Sequence, residues 1–215
     1  MQTDGPFGRA QHEGQAVTPR ITVLDFGMGN LRSVAKALER AGADVEVSET
    51  VEDAADGLVV PGQGHFGACV VNLGGRLDAV REWIAAGRAY LGICLGLQVL
   101  FESSEESPED GLSIFGGEVV RLPDGVKVPH IGWNEVAARH GTRLFEGVDE
   151  GTRFYFVHSY YPSPADESVT AATVRYGVEF ACAAERDNIM ATQFHPEKSG
   201  DVGIRLLQNF VRACA

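Results

Sequence analysis

A cysteine flanked by glycines, in Gly92-Ile93-Cys94-Leu95-Gly96, is the residue of this sequence best placed to act as a nucleophile. An apolar run ends at Ile93 and helical periodicity follows, so Cys94 falls on a predicted strand-to-helix turn. Such a sharp turn lifts a side chain above the sheet edge, and flanking glycines relieve the crowding. Because cysteine is also among the most often buried residue types, inert packing is the alternative interpretation.

A histidine near the carboxyl end of the chain can supply the base that a thiol needs. A thiol with a pKa of about 8.5 is mostly protonated at neutral pH and is a poor nucleophile without a base. His195 ends a predicted strand, and Glu197 lies two residues on, where its carboxylate can fix the tautomer of the imidazole. His130 and His158 are the competing bases. Their aromatic-rich stretches are equally typical of a binding surface or of core strands.

The elements around these residues alternate between strand and helix patterns. The alternation predicts a parallel sheet covered by helices on both faces. Beyond about Gly116, short strands separated by turns predict antiparallel additions. The predicted strands are 21–24, 44–47, 57–60, 90–93, 117–120, 154–157, 169–174, 180–184 and 189–194, with helices at 31–41, around 77–86 and at 204–211. We therefore predict an α/β fold, a single domain with a mostly parallel central sheet flanked by helices and with added antiparallel strands in the C-terminal half.

Two further glycine-rich turns follow predicted strands, where ligands bind in open α/β sheets. Residues 27–30 resemble a dinucleotide-binding turn but lack the full Gly-x-Gly-x-x-Gly spacing, which favours a tight connection with Asn30 as the helix N-cap. The turn Pro61-Gly62-Gln63-Gly64 offers backbone N–H groups with little side-chain cover. That arrangement suits an oxyanion hole, with a simple turn as the alternative.

Length and composition narrow the class of protein. The 215 residues carry a net charge of −12 and are 44% hydrophobic, which predicts a globular chain that binds neither nucleic acid nor anionic membranes. Residues 1–19 show no periodicity and are predicted to be a flexible N-terminal extension before a domain at 20–215. No run approaches the roughly 20 apolar residues that span a bilayer, and no secretion signal is recognisable. The four cysteines have no metal-ligand spacing, so we expect free thiols, no metal and a cytoplasmic protein.

Together these motifs resemble the class I, or triad-type, glutamine amidotransferases, with Cys94, His195 and Glu197 in the positions of the triad. The resemblance covers about residues 21–215. Within this family, four further stretches are similar to the glutaminase subunits of imidazole glycerol phosphate synthase, and the turn at 61–64 differs from the Gly-Gly-Pro-Gly of subunits for anthranilate or aminodeoxychorismate synthesis. The four stretches are 25–34, 61–66, 129–134 and 156–161.

The resemblance implies hydrolysis of glutamine to glutamate and ammonia without a cofactor. It places backbone N–H groups of Leu95 and of Gly62, Gln63 and Gly64 at the oxyanion. It also places Gln98, Ser159 and Tyr160 against the substrate glutamine.

The implied partner is a (β/α)₈-barrel cyclase subunit in a heterodimer, which uses the ammonia to make imidazole glycerol phosphate and aminoimidazole carboxamide ribonucleotide in histidine biosynthesis. Two alternatives stay open. One is another class I subunit, such as the glutaminase of pyridoxal phosphate synthesis, and the other is a non-catalytic docking protein.

Overall fold

A computed structural model describes residues 18–215, so almost all of the predicted extension at 1–19 lies outside the described residues. The helices are α1 (Leu31–Ala41), α2 (Phe66–Leu73), α3 (Arg76–Ala85), α4 (Leu95–Gln98) and α5 (Gly200–Ala213), with short 3-10 turns at Glu167–Val169 and Pro196–Lys198. The strands are β1 (Arg20–Leu24), β2 (Asp44–Ser48), β3 (Gly57–Gly62), β4 (Ala89–Cys94), β5 (Ser103–Ser104), β6 (Gly117–Arg121), β7 (His130–Ala138), β8 (Arg153–His158), β9 (Tyr160–Pro164), β10 (Thr170–Tyr176), β11 (Val178–Arg186) and β12 (Ile189–Thr192).

One large mixed sheet runs through the described part of the chain, in the order β2-β1-β3-β4-β12-β11-β10-β7-β8. The first five strands pair in parallel, and from β12 onward the neighbours are antiparallel. A second, three-stranded sheet has the order β5-β6-β9. The predicted α/β class with antiparallel additions is confirmed; most of the additions extend the same sheet, and the one at β6 belongs to the second sheet.

The first helix shows how the sequence sets these elements. The side chain of Asn30 accepts a hydrogen bond of 3.3 Å from the backbone N–H of Ser33, which caps α1 as predicted. Val34 and Leu38 are buried on one face of the helix. Gly42 ends α1 at a φ of 104°, a left-handed conformation that glycine adopts without steric cost.

Two apolar clusters cover the two faces of the sheet. One contains Leu38 of α1 and Phe210 of α5, and the other contains Phe66 of α2 and Trp83 of α3. Helices therefore pack on both faces, which leaves the carboxyl ends of the parallel strands as the edge where polar groups converge. No helix within residues 18–215 has both the length and the apolar character needed to cross a membrane.

The helix predicted after Cys94 is only the four residues of α4. Beyond it, Val99, Leu100 and Phe101 are completely buried, so no solvent-facing side remains for a longer amphipathic helix. Their carbonyl oxygens accept hydrogen bonds from backbone N–H groups of residues 112–115 instead of continuing the helical ladder. The structure also contains α2, β5, β7 and β9, which the sequence patterns did not predict as separate elements.

Candidate active site

Cys94 lies at the junction of β4 and α4 in a strained backbone conformation, with φ 58° and ψ −104°. Positive φ is unusual for a residue other than glycine and marks a sharp turn. A Cβ atom at Gly92 would overlap the carbonyl oxygen of Gly96, and one at Gly96 would overlap that of Val60. The Tyr90 hydroxyl donates a 2.8 Å hydrogen bond to the Gly96 carbonyl and secures the turn. This is the geometry expected of a nucleophile elbow.

His195 and Glu197 meet beneath the elbow in almost complete isolation from solvent. The Nδ1–H of His195 donates to Glu197 Oε1 at 2.8 Å, so the carboxylate fixes the tautomer that leaves Nε2 for Cys94. Burial acts to lower the pKa of His195, but the hydrogen bond to Glu197 and the neighbouring Cys94 and Glu197 outweigh it and raise the pKa to about 9. The site therefore favours imidazolium beside the sulfur, an arrangement that activates a thiol.

A hydroxyl holds the histidine backbone in place. Ser199 Oγ donates to the His195 carbonyl oxygen at 2.7 Å and accepts from the Tyr155 N–H at 3.0 Å. The His195 N–H donates in turn to the Tyr155 carbonyl oxygen at 2.9 Å. His195 is thus connected to β8 as well as to β12, so its position is set from two strands of the sheet.

A cavity of about 360 Å³ opens above Cys94, within the usual size range of small-ligand sites. Gly62 pairs with Cys94 in the β3–β4 register, immediately beside the cavity, and His195 and Glu197 lie behind the cysteine rather than on the cavity wall. The other predicted oxyanion and substrate-binding residues line it: Gln63, Gly64, Leu95, Gln98, Ser159 and Tyr160. The structure therefore brings all the predicted site residues together.

Gln98 is oriented by its neighbours. Its Nε2 donates one hydrogen bond to the Tyr160 carbonyl oxygen and another to Gln193 Oε1, both at 3.0 Å. With both amide hydrogens used, Oε1 of Gln98 is the atom available to accept a hydrogen bond from a ligand in the cavity.

The two competing histidines form a neutral pair. A carbonyl oxygen only accepts, so the 2.9 Å contact between His158 Nδ1 and the Tyr160 carbonyl places the proton on Nδ1, and His158 Nε2 accepts from His130 Nδ1–H at 3.1 Å. Burial lowers the pKa of His130 to about 4; burial, with the neighbouring His130, lowers that of His158 to about 3. Both nitrogens of His158 are occupied, whereas Nε2 of His195 has no hydrogen-bond partner among the described residues, so His195 is the candidate base that remains.

The remaining cysteines are unsuited to nucleophilic chemistry. All four are free thiols, as predicted. Burial raises the pKa of Cys69 and of Cys214 to about 12 and that of Cys182 well above its ordinary range, and none of the three lines the cavity. Among residues 18–215, no group of three or more His, Cys, Asp or Glu side chains is arranged to hold a metal ion.

Gln193 is a site residue that the sequence interpretation missed. Its amide lies between Gln98 and Cys94, with Nε2 3.6 Å from the cysteine sulfur. The available signal was a polar amide inside the apolar run Ile189-Met190-Ala191-Thr192-Gln193-Phe194. Such a residue in a fully buried strand needs a hydrogen-bonding partner, which points to a polar site nearby.

Comparisons with known proteins identify the family of the chain. Residues 22–214 match the family described as glutamine amidotransferase class-I. The chain is 48% identical to imidazole glycerol phosphate synthase subunit HisH of Syntrophotalea carbinolica, over 88% of this chain and 98% of the relative. It is 50% identical to the subunit of the same name from Aquifex aeolicus, over 90% of this chain and 96% of the relative.

Solved structures with low identity share the fold. A crystal structure of a glutamine amidotransferase superposes with a TM-score of 0.71 at 22% identity, covering 90% of this chain and 98% of that one. PurLQS from Thermotoga maritima gives a TM-score of 0.74 at 17% identity, covering 91% of this chain and 99% of that one. The family match over residues 22–214 and the identities of 48% and 50% show that the chain belongs to the class I glutamine amidotransferase family, in the branch that contains the HisH sequences.

Proposed function

We propose that this chain is the glutaminase subunit of an imidazole glycerol phosphate synthase and that Cys94, His195 and Glu197 are its catalytic triad. The observation that carries the proposal is the strained cysteine at the cavity floor, backed by a histidine whose other nitrogen is held by a buried carboxylate at 2.8 Å. The names of the relatives supply the pathway, and the geometry supports the chemistry.

The first half-reaction is acylation of the cysteine. Cys94 Sγ attacks the side-chain carbonyl carbon of glutamine, a carbon–sulfur bond forms, and the carbonyl electrons move to oxygen. The tetrahedral intermediate collapses, the carbon–nitrogen bond breaks, and imidazolium His195 gives its proton to the departing ammonia. Glu197 keeps the imidazole in the tautomer and orientation that this transfer requires.

The second half-reaction hydrolyses the thioester. Neutral His195 takes a proton from water as the water oxygen attacks the acyl carbon, and the carbon–sulfur bond breaks to release glutamate. The sulfur leaves as thiolate beside imidazolium, which restores the starting pair. The raised pKa of His195, about 9, supports a resting imidazolium at neutral pH.

Backbone N–H groups stabilise the oxyanion in both steps. The N–H of Leu95 follows the nucleophile at the start of α4, Gln63 and Gly64 line the cavity with it, and Gly62 pairs with Cys94 in the sheet. A Cβ on Gly62 would approach the Leu95 Cβ to 2.7 Å, so glycine is needed for the close approach of this turn to Leu95. Gln98 at the end of α4, together with Ser159 and Tyr160 around the start of β9, binds the substrate glutamine.

An apolar surface at the mouth of the cavity supports a partner subunit. Ile131 and Trp133 on β7 are 59% and 53% exposed, unusual for side chains of this size. Trp133 contacts Tyr155 edge-to-face, with ring centroids 6.1 Å apart, and Ile131 pairs with Val157; both partners line the cavity. A (β/α)₈-barrel cyclase docked here in a heterodimer would cover the site and receive ammonia before it reaches water. The free thiols accord with a cytoplasmic location.

The test is a reconstituted complex of the full chain with a cyclase subunit. Cys94→Ala should lose glutamine-dependent synthesis, because no acyl-enzyme can form, and should keep synthesis from added ammonium. Cys214→Ala removes a thiol outside the cavity and is the matched control that should retain both activities.

Glutamine-dependent synthesis at the wild-type rate in Cys94→Ala would overturn the triad. The choice of pathway is tested separately by glutamine turnover of the chain alone, with the cyclase, and with a pyridoxal phosphate synthase. Stimulation by the cyclase only is expected. Stimulation by the second synthase would reassign the partner, and no turnover in any mixture would favour a docking protein.

A further inference from the structure

Gln193 is completely buried between the end of β12 and His195. Its backbone N–H donates to the Cys182 carbonyl oxygen at 2.8 Å, which continues the pairing of β11 with β12 past the last strand residue. The side chain therefore emerges from a backbone fixed by the central sheet, and its amide is carried to the floor of the cavity.

The orientation of this amide follows from its neighbours. The Tyr160 carbonyl oxygen accepts only, so the atom of Gln98 that faces it must be Nε2. The second hydrogen of that nitrogen needs an acceptor, which makes the Gln193 atom at 3.0 Å its Oε1. Gln193 Nε2 consequently faces Cys94 Sγ at 3.6 Å. The Tyr160 carbonyl oxygen thus fixes the direction of the Gln193 amide through two successive hydrogen bonds, one to Gln98 and one from Gln98 to Gln193.

We propose that Gln193 is a further catalytic residue, whose side-chain amide donates a hydrogen bond to the sulfur of Cys94 and connects that sulfur to Gln98 in the substrate site. The proposal rests on the proposed role of Cys94 as nucleophile. An N–H dipole fixed beside a sulfur stabilises the thiolate, and because the amide is already oriented it does so without reorganisation. It stabilises the thiolate again when the thioester breaks.

A packing role alone does not require this residue. A buried amide loses its hydration, and that cost is offset only where its polar atoms find partners. The neighbouring Thr192 is equally buried but satisfies its hydroxyl locally, on the Phe194 carbonyl oxygen at 2.9 Å. Gln193 directs both ends of its amide into the site instead, one to Gln98 and one to Cys94.

Gln193→Met keeps the length of the side chain and removes the donor. Gln98 retains its bond to the Tyr160 carbonyl in this variant, so substrate binding should change little. We expect kcat for glutamine hydrolysis in the complex to fall about tenfold while KM changes less than about threefold, the pattern of a lost hydrogen bond to a charged group.

The rate of alkylation by iodoacetamide measures the reactivity of the Cys94 sulfur directly. The assay uses the isolated full chain and needs neither the partner nor glutamine. Mass spectrometry of the peptide that contains Cys94 separates it from the three thiols whose pKa burial raises. At pH 7 the Gln193→Met rate should be about tenfold lower than wild type, because the thiolate has lost a donor. Thr192→Val, a buried change in the same segment that leaves Cys94 untouched, is the matched control and should alkylate at the wild-type rate.

Gln193→Glu provides a second, isosteric variant in case Met disturbs the fold. It retains the acceptor for Gln98 and replaces the donor by an oxygen, so alkylation should be slower still. Wild-type alkylation and wild-type kcat in either folded variant would overturn the proposal. A wild-type complex that does not hydrolyse glutamine would instead refute the proposed function, and the alkylation rates would still report the contact between Gln193 and Cys94.

Discussion

The buried histidine pair on β7 and β8 should make the folded protein sensitive to acid. His130 and His158 are 3% and 5% exposed and share one hydrogen bond of 3.1 Å. His130 is also stacked between Phe156 and Tyr176, with ring centroids 4.9 Å and 3.9 Å away. His130→Phe preserves this stacking, removes one titrating group, and so isolates its effect on stability.

The sign and size of the effect follow from the pKa values. In the folded protein the pKa of His130 is about 4 and that of His158 about 3, against 6.5 for an ordinary histidine. Below pH 6.5 the unfolded chain therefore binds protons that the folded chain does not, and the free energy of unfolding falls as the pH drops. The free energy of unfolding falls by about 1.4 kcal/mol for each histidine with every pH unit below 6.5. At pH 5 each histidine has therefore lowered it by about 2 kcal/mol.

The opposite behaviour of His195 does not affect the comparison. Its pKa is raised to about 9, so its contribution to stability is fully present below pH 6.5 and is lost as the pH rises through about 9. Wild type and His130→Phe share this contribution. At pH 7.5 the variant should be about 1 kcal/mol less stable, because His158 Nε2 has lost its donor.

Urea unfolding followed by circular dichroism at pH 7.5, 6.5, 5.5 and 5.0, at constant ionic strength, measures the difference. Between pH 7.5 and 5.0 the wild type should lose about 2 kcal/mol more than His130→Phe. The exposed His140 provides the control, since His140→Gln should follow the wild-type curve. Parallel curves for the wild type and His130→Phe would show that His130 titrates alike in both states, and the argument from burial would be refuted.

Two further predictions concern the triad and the elbow. Glu197→Gln removes the carboxylate that accepts a hydrogen bond from His195 Nδ1–H. In steady-state assays kcat for glutamine hydrolysis should fall by about 100-fold or more, while synthesis from ammonium is retained. An unchanged kcat would exclude an orienting role for Glu197. Gly96→Ala forces a methyl group onto the Val60 carbonyl, and the free energy of unfolding in urea should fall by about 1–3 kcal/mol or more. In the control Gly75→Ala the new methyl group meets no atom within 4 Å, so stability should be close to that of the wild type. Equal stability of the two variants would contradict the close approach of Gly96 to Val60.

Local signals in the sequence predicted much of the fold. The N-cap Asn30 and the terminal Gly42 mark α1 at the bounds that the structure has. The sequences of the buried strands β3 and β4 are apolar runs because helices cover both faces of the sheet. These elements are set by interactions within a few residues or by burial on both sides, which is the information that a single sequence carries best.

Long-range pairing was harder to predict. The short length of α4 depends on residues 112–115, whose N–H groups take the carbonyls that a longer helix would use. β9 lies in a small second sheet beside β6, and its residues are only partly buried, so its pattern is weak. The contact of Gln193 with Cys94 likewise joins residues far apart in the chain. Only the folded sheet reveals such neighbours.

The position of β12 has a consequence for synthesis of the chain. This last strand inserts between β4 and β11, in the interior of the sheet, and brings the histidine and the glutamate with it. A nascent chain in which β12 has not yet been made holds the cysteine on β4 but has neither the proposed base nor the neighbouring strand. Such a nascent chain could not hydrolyse glutamine by the proposed triad until β12 had taken its place in the sheet.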